Sequence, residues 1–285
     1  LSSSSAASDV YKRQGNVRAD LKGHGVPGAS EDSGSIFRLY SDRQEISARE
    51  LTLTVYQKVA EVRSLSAKGE CRFRFISHEG EETGIQADAV EYEINQQGEL
   101  KKFRAEGKAE IRGSGVNRKS DCASGGKIYL SENRNELIIE KNDSLPARLN
   151  REEADLEADS IRLGLSSRDS EASGSVKAVI AAAEDREEGL GFFSAAKPVY
   201  VSSADMRYYD AAGRFIFSGK ARIWQDDDSL SAEELVMDRE SGALHGENQV
   251  EAVFHFSPAD DKPEERIRLS AEEMNYGPRN QNMDF

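Results

Sequence analysis

The chain has few side chains that could carry out catalysis, and their spacing fits no familiar catalytic pattern. Its four histidines lie in no spacing typical of a zinc site or a hydrolase; they are His24, His78, His245 and His255. The segment Gly113-Ser114-Gly115 is predicted to be a turn, because no strand-to-helix transition follows it as a nucleophile elbow requires. No glycine-rich phosphate loop opens a helix. The sequence therefore predicts no catalytic residue and no enzyme activity.

Three consecutive aspartates, Asp226-Asp227-Asp228, raise the question of a calcium site. Calcium loops need oxygen ligands spaced along the loop and a distal carboxylate. Adjacent aspartates between Trp224 and Leu230 are more typical of a solvated hairpin turn, since aspartate favours turns. We expect neither a metal site nor a cofactor.

The two cysteines are Cys71 and Cys122. Cys71 alternates with Phe73 and Phe75, so the pattern predicts a buried thiol on the same strand face. A disulfide between the two cysteines would require an oxidising compartment, and nothing in their spacing demands one.

Composition excludes several classes of partner. The net charge of −14 over 285 residues argues against nucleic-acid binding, which needs a basic face. The locally basic stretch 101–119 has interspersed charges and is predicted to be a solvated face. A hydrophobic content of only 37% is typical of a thin β structure that buries little of its surface. The sequence contains no apolar run long enough to span a bilayer.

A seven-residue pattern recurs along the chain: an apolar residue, a small residue two positions later, and apolar residues five and seven positions after the first. Five copies fit well and two, at 123–130 and 201–208, fit more loosely; the well-fitting ones are 46–53, 85–92, 156–163, 230–237 and 269–276. The starts of the seven copies lie 29 to 45 residues apart, a spacing that indicates repeated supersecondary structure.

Within each copy the two-residue alternation of a β-strand slips by one position after the small residue. A bulge or bend at the slip would return the apolar residues to one face, with the acidic residues of this position pointing outward. Examples are Asp88, Asp159, Glu233 and Glu272. We therefore expect an all-β fold of repeated bent strands.

The segments between the strands read as hairpin turns, and glycine marks several of them. Predicted turns are 95–98, 210–213 and 239–242, and Gly107 and Gly219 are each predicted to open the next strand. Residues 178–189 are the one segment compatible with a short helix.

The ends of the chain differ from the rest. Residues 1–14 are rich in Ser and Ala and are interpreted as a non-native tail, and the chain stops abruptly at Phe285. We expect an internal fragment of a longer protein. The remaining sequence divides into a first β module at 15–163, a loop, insertion or junction at 164–198, and a second, truncated module at 199–285.

The repeated strands resemble a known family. Leu-Ser-Ala-Glu-Glu-Leu-Val-Met-Asp at 230–238, Ile-Gln-Ala-Asp-Ala-Val-Glu-Tyr at 85–92 and Leu-Ser-Ala-Glu-Glu-Met-Asn-Tyr at 269–276 are similar to the strands of OstA-like repeats. Phe-Ser-Gly-Lys-Ala-Arg-Ile at 217–223 looks like the glycine-containing strand of the same repeats. The OstA-like family comprises the periplasmic lipopolysaccharide-transport proteins LptA, LptC and the N-terminal domain of LptD. The resemblance covers roughly residues 46–285.

The resemblance implies a fold, a function and a location. The family fold is an open, twisted β-jellyroll, V-shaped in section, whose modules join edge to edge. Its apolar interior shields the acyl chains of lipopolysaccharide on the way to the outer membrane, without catalysis. The expected partners are a lipid and other β-jellyroll domains of the family. The expected location is the periplasm. Whether a missing N-terminal segment anchors the protein in a membrane is left open.

The predicted lipid-binding groove consists of residues on the apolar phase of the strands. They are Phe73, Phe75, Val90, Tyr92, Phe103, Ile111, Met206, Tyr208, Phe215, Phe217, Ile223, Leu235, Met237, Phe254 and Phe256. Individually, such residues more often form a dry core, because apolar strand faces usually pack on each other. Two alternatives are therefore kept: a structural or adhesive β-repeat protein without lipid cargo, and a carbohydrate-active β-solenoid enzyme with paired carboxylates.

Overall fold

The computed structural model describes eleven segments of the chain: 8–22, 43–56, 61–76, 81–94, 100–115, 118–133, 135–151, 154–182, 193–256, 265–277 and 282–284. These residues form strands and turns, and their one helix is the three-residue 3-10 helix Asp210–Ala212. The registers described between neighbouring strands are antiparallel. The all-β class predicted from the alternation is confirmed.

Two compact units divide the chain. Unit 1 comprises Leu1–Arg151 and Arg162–Ser166, and unit 2 comprises Glu152–Ile161 and Ser167–Phe285.

Unit 1 is a meander in which each of the first six strands pairs with the next. Strand β6 then pairs with both β7 and β8, and β10 adds to β7. The strands are β1 (Ser8–Lys22), β2 (Arg43–Tyr56), β3 (Glu61–Ile76), β4 (Glu82–Ile94), β5 (Leu100–Gly115), β6 (Arg118–Leu130), β7 (Glu136–Glu140), β8 (Ala147–Asn150) and β10 (Ser160–Gly164), of which β10 begins with two residues of unit 2.

Unit 2 is a second meander, begun by the short strand β9, which pairs with β11. From β11 onward each strand pairs with the next. The strands are β9 (Ala154–Ala158), β11 (Ser170–Ile180), β12 (Val199–Tyr209), β13 (Arg214–Gln225), β14 (Asp228–Asp238), β15 (Leu244–Phe256), β16 (Glu265–Gly277) and β17 (Asn282–Asp284).

A line of register shifts crosses the sheet of each unit at mid-strand, and we call this line the crease. At the crease, two consecutive residues of one strand lie opposite a single residue of the neighbouring strand, and neither of the two has a register partner there. Strands with two such residues alternate across the sheet with strands that have one. In unit 1 the crease contains Gly15–Asn16, Arg49, Gly69–Glu70, Asp88, Gly107–Lys108 and Gly126, and in unit 2 it contains Gly174–Ser175, Ala204, Gly219–Lys220, Glu233, Asn248–Gln249 and Glu272.

Except for Asn16, the paired crease residues adopt left-handed backbone conformations. Gly174 has φ +77° and the following Ser175 has φ 52°, and Gly219 and Lys220 repeat this arrangement at 77° and 54°. Two successive left-handed residues turn a strand sharply, and glycine adopts the first of them without a steric cost. The bend predicted at the slip is therefore confirmed, but Gly107 and Gly219 lie in the middle of long strands and do not open new ones.

The crease divides each unit into two half-sheets. In unit 1, half-sheet 1A contains 43–47, 71–76 and 82–87, and half-sheet 1B contains 50–56, 61–68 and 89–94. The apolar residues of the seven-residue pattern lie on one face of both halves: Ile85 and Ala87 are buried before the crease, and Val90 and Tyr92 after it. Asp88, at the slip between them, is exposed as predicted.

The two half-sheets of unit 1 face each other. Phe75 of half-sheet 1A and Tyr92 of half-sheet 1B have ring centroids 6.5 Å apart. Tyr92 is the register partner of Leu65, which lies ten residues before Phe75 on β3. If β3 were straight, Leu65 and Phe75 would be about 33 Å apart, so the contact between Phe75 and Tyr92 requires the sheet to fold back on itself. The Nε2 of Gln44, in half-sheet 1A, also donates to the Tyr92 hydroxyl over 3.4 Å. The sheet is therefore folded along its crease around a shared apolar interior.

The outer face of the sheets is charged. Lys102 pairs with Glu91 at 2.7 Å, and Arg112 pairs with Glu110, both on the solvent side. Exposed pairs of this kind add little stability. The solvated face predicted for the basic stretch is confirmed for its described charged residues from Lys101 to Arg112.

The structure differs from the sequence-based division in three places. Residues 8–14, set aside with the tail, form the first half of β1 and pair with β2. Residues 170–180, placed in the loop or junction, form strand β11 of unit 2, in which Ala172, Val176, Ala178 and Ile180 are buried. Residues 178–180 are consequently strand and not helix, and 183–190 lie outside the described residues, as do 95–98.

Candidate functional site: the apolar interior

The predicted groove residues of unit 1 all lie in its interior. Strands β3, β4 and β5 place them there by alternation, and each is almost fully buried: Phe73, Phe75, Val90, Tyr92, Phe103 and Ile111. The Phe73 and Phe75 rings stack at 6.3 Å along one strand. The structure therefore brings together the residues predicted for this module.

The predicted groove residues of unit 2 are likewise buried, on strands β12 to β15: Met206, Tyr208, Phe215, Phe217, Ile223, Leu235, Met237 and Phe254. Tyr208 and Phe215 are register partners with ring centroids 4.3 Å apart, and Phe215 stacks on Phe217 at 5.9 Å. Phe256 is the register partner of Glu265, but its side chain lies outside the described ones.

The interior of unit 2 becomes accessible to solvent at strand β16. Phe254 on β15 is 7% exposed, whereas its register partner Ile267 on β16 is 40% exposed. Leu269, Ala271 and Tyr276, on the same face of β16, are half-buried, and Met274 is fully buried. Apolar surface is thus continuous from the closed part of the interior to its edge.

Strand β16 also has one backbone edge without a partner over most of its length. It pairs with β15 along 265–276, while on its other side β17 reaches only Asn275, Tyr276 and Gly277. Among the described residues no strand pairs with the rest of that edge. An unpaired edge carries free N–H and C=O groups that another strand can bind.

Polar groups near this edge lie on the outer face. The Nδ1 of His245 lies 2.6 Å from Asn275 Oδ1, and its Nε2 lies 2.7 Å from Glu247 Oε1. Partial burial lowers the pKa of His245, but the hydrogen bonds and the charges of Glu247 and Glu273 outweigh it, so that the pKa lies above its ordinary value. Although His255 alternates with Phe254 and Phe256, which would leave it exposed, it is half-buried, and its backbone N–H donates to Asp228 Oδ1 over 2.7 Å.

The described residues include no group of three or more His, Cys, Asp or Glu side chains arranged to hold a metal ion. Asp226 and Asp227 form the turn between β13 and β14, with Asp226 at φ 51°, so the predicted hairpin turn is confirmed. Both cysteines are free; Cys71 is buried, as predicted, and burial raises its pKa to about 11.

Sequence reasoning left Gln44 and Ile267 out of the predicted groove. Gln44 lies on the apolar phase of β2, two residues before Ile46, and is buried against Tyr92. Ile267 continues the apolar phase of β16 two residues before Leu269 and could have been identified from that spacing.

Comparison with the profiles of known protein families finds no match for this chain. Comparison with curated proteins finds none either. Within the residues that the structure describes, no helix has the length and apolar character to cross a membrane.

Proposed function

We propose that this chain carries lipopolysaccharide across the periplasm as a non-enzymatic part of a bridge to the outer membrane. In this proposal the creased sheets are an open, V-shaped β-jellyroll. The apolar interior shields the acyl chains, and the sugars stay outside. The resemblance of the repeated Ala-Asp/Glu strands to OstA-like repeats supports it.

The observation that carries the proposal is the exposure of Ile267 beside buried Phe254. An apolar strand face that reaches solvent at an open edge offers a place for a hydrocarbon chain to enter. Burying such a chain contributes about 0.8 kcal/mol of binding free energy per methylene group. Binding of this kind requires neither a catalytic residue nor a metal ion.

The unpaired edge of β16 supports the second part of the proposal, the joining of modules. A strand from another β-jellyroll domain would pair with this edge through main-chain hydrogen bonds and extend the interior. The partners in this proposal are therefore a lipid and a further domain of the same kind, in the periplasm.

A structural β-repeat protein without lipid cargo is the second candidate. The near-complete burial of the described groove residues favours it, because Phe217, for example, is only 1% exposed. A sealed interior of this kind would need rearrangement before it could take up a lipid.

Photocrosslinking to lipopolysaccharide separates the two candidates. A photoreactive residue is placed at Ile267, at the mouth of the interior, and in a second variant at Phe217, deep within it. The matched control is Arg268, the next residue of the same strand, whose exposed side chain contacts Glu251 on the outer face.

The lipid-transport proposal expects crosslinks from position 267 and from position 217, and none from position 268. Absence of crosslinks from both interior positions, in variants whose circular dichroism matches that of the parent, would favour the structural repeat. Equal crosslinking from 267 and 268 would indicate nonspecific lipid adsorption and would also count against transport.

A further inference from the structure

Two arginines flank a serine in one row across the outer face of unit 1. In the register of strands β1, β2 and β3, Arg18 pairs with Ser47 and Ser47 pairs with Arg72. Since neighbouring strands lie about 4.8 Å apart, the two arginine backbones are about 10 Å apart with the serine midway between them.

This row borders a shallow cavity of about 550 Å³. Its polar lining consists of Arg18, Glu45, Ser47, Arg72 and Arg74, and alternating residues of the same strands, Ala19, Ile46 and Phe73, complete it. Ile46 and Phe73 are buried on the inner face, so the floor is formed mainly by their backbone.

The charges around the cavity do not cancel. Arg74 is held by Glu82 over 2.7 Å and by Glu45 over 3.4 Å, so its charge is compensated. Arg18 and Arg72 have no hydrogen bond or ion pair within the part of the chain that the structure describes. Two uncompensated guanidinium groups therefore share one cavity on a chain whose net charge is −14.

This arrangement has the features of an anion site. A guanidinium group is planar and offers paired N–H donors that match the oxygens of a phosphate. The Ser47 hydroxyl, between the two arginines, can donate a third hydrogen bond to an anion resting on the sheet. A long polyanion is disfavoured, because Glu45 borders the cavity and the chain as a whole carries a net charge of −14.

We infer that the Arg18–Ser47–Arg72 row binds the phosphate group of a phosphomonoester. Arg18 and Arg72 each donate to phosphate oxygens from opposite sides, and the Ser47 hydroxyl donates from below. The inference does not depend on the proposed lipid transport, because the site lies on the outer face and a soluble phosphomonoester suffices to test it.

The experiment is isothermal titration of the whole chain with glucosamine 1-phosphate at low ionic strength. The variants are R18Q, R72Q and the double variant R18Q/R72Q. The matched control is R266Q, which removes an exposed arginine of β16 in unit 2 that has no described partner. Each site substitution is expected to weaken binding about tenfold, and R266Q to leave it unchanged.

The conservative variant R72K tests the geometry of recognition. Lysine keeps the positive charge but lacks the paired donors, so R72K is expected to bind more weakly than the parent and more tightly than R72Q. Binding of R72K as tight as that of the parent would contradict recognition by paired donors, and binding of R72Q as tight as that of the parent would count against the site.

A second arm distinguishes the source of the phosphate. Sedimentation with phosphatidic acid vesicles is compared with the titration by soluble sugar phosphate, using the same variants. Binding in either arm that is lost in R18Q/R72Q and retained in R266Q supports the site and identifies a lipid headgroup or a free phosphomonoester as its ligand. No binding by the parent in either arm, or the same binding by the parent and R18Q/R72Q, would overturn the inference.

Discussion

Ala204 lies directly over the backbone of Gly219 at the crease of unit 2. A Cβ placed on Gly219 would lie 2.6 Å from the Cβ of Ala204, closer than real side chains approach. The same relationship joins Gly174 to Asp159, where the added Cβ would lie 2.7 Å from the Asp159 Cβ. At these two positions the crease brings a glycine of one strand against a side chain of a neighbouring segment.

We predict that Gly219→Ala destabilises the chain by about 2 to 4 kcal/mol, from the left-handed conformation and the steric clash together. The second substitution Ala204→Gly removes the clash but not the conformational strain, so the double variant should recover part of the loss. Urea unfolding followed by circular dichroism measures both. Gly84→Ala is the control, because its φ is not left-handed and no atom lies within 4 Å of the added Cβ; an equal loss in that variant would contradict the explanation.

The interior predicts different costs for truncating its deep and its peripheral residues. Phe217→Ala should cost about 3 to 5 kcal/mol, because the ring is fully buried between neighbouring strands. Ile267→Ala should cost less than about 1.5 kcal/mol, since its side chain is 40% exposed. Urea unfolding compares them, and equal losses would mean that Ile267 is covered in solution.

Gln225 fastens the segment 193–198 to the end of β13. Its Oε1 accepts from the backbone N–H of Ser194 over 2.7 Å, and its Nε2 donates to the carbonyl groups of Ser194 and Lys197. Gln225→Ala should cost about 1 to 3 kcal/mol, since these groups lose their partners.

Hydrogen exchange provides the local measurement for Gln225. Exchange of the Ser194 amide should accelerate in Gln225→Ala and stay unchanged in Gln86→Ala, which alters an exposed glutamine of β4. Unchanged protection of Ser194 in Gln225→Ala would contradict the fastening role.

His245 predicts a pH-dependent contribution to stability. Its pKa in the folded chain lies above the ordinary value of 6.5, because Glu247, Asn275 and Glu273 outweigh the effect of burial. Folding therefore favours the protonated ring: the contribution is fully present below pH 6.5 and is lost as the pH rises through the folded pKa.

The test is the difference in unfolding free energy between the parent and His245→Gln, measured at pH 5.5 and at pH 9. The difference should be larger at pH 5.5. Glu247→Gln removes a neighbouring charge and should reduce the pH dependence in the parent background. A His245→Gln effect that is the same at both pH values would show that the ring acts only through packing.

The free cysteines predict slow thiol chemistry. Burial raises the pKa of Cys71 to about 11 and also raises the pKa of Cys122, so few thiolates are present at pH 8. The unfolded chain should release two equivalents of thiol with a disulfide reagent, and the native chain should react slowly, Cys122 before the more deeply buried Cys71. If the protein, unfolded without reductant, released no thiol with the reagent, the two cysteines would be joined in a disulfide and the prediction would be wrong.

The buried face of each strand could be predicted from the sequence, because alternation is a local property. The pattern Ile85, Ala87, Val90, Tyr92 identifies four buried residues and places the bend at Asp88. The strand β11 was missed, because its serines and alanines carry little apolar signal of their own.

The role of the mid-strand glycines could not be predicted from their own neighbourhood. Gly107 and Gly219 read as the start of a strand, since glycine commonly follows a turn. In their left-handed conformation they lie against Asp88 and Ala204, which are contributed by other strands. The exposure of Ile267 likewise depends on which strands pair with β16. The alternation of apolar residues along β16 does not predict those strands.

The crease limits how such a chain can change its length. Strands with two crease residues alternate with strands that have one, so the smallest segment that reproduces the arrangement is a hairpin of two strands. After gain or loss of a whole hairpin, each strand with two crease residues still lies beside a strand with one. Gain or loss of a single strand would set two strands of the same kind side by side. Evolution by duplication, and any engineered lengthening, should therefore proceed in steps of two strands.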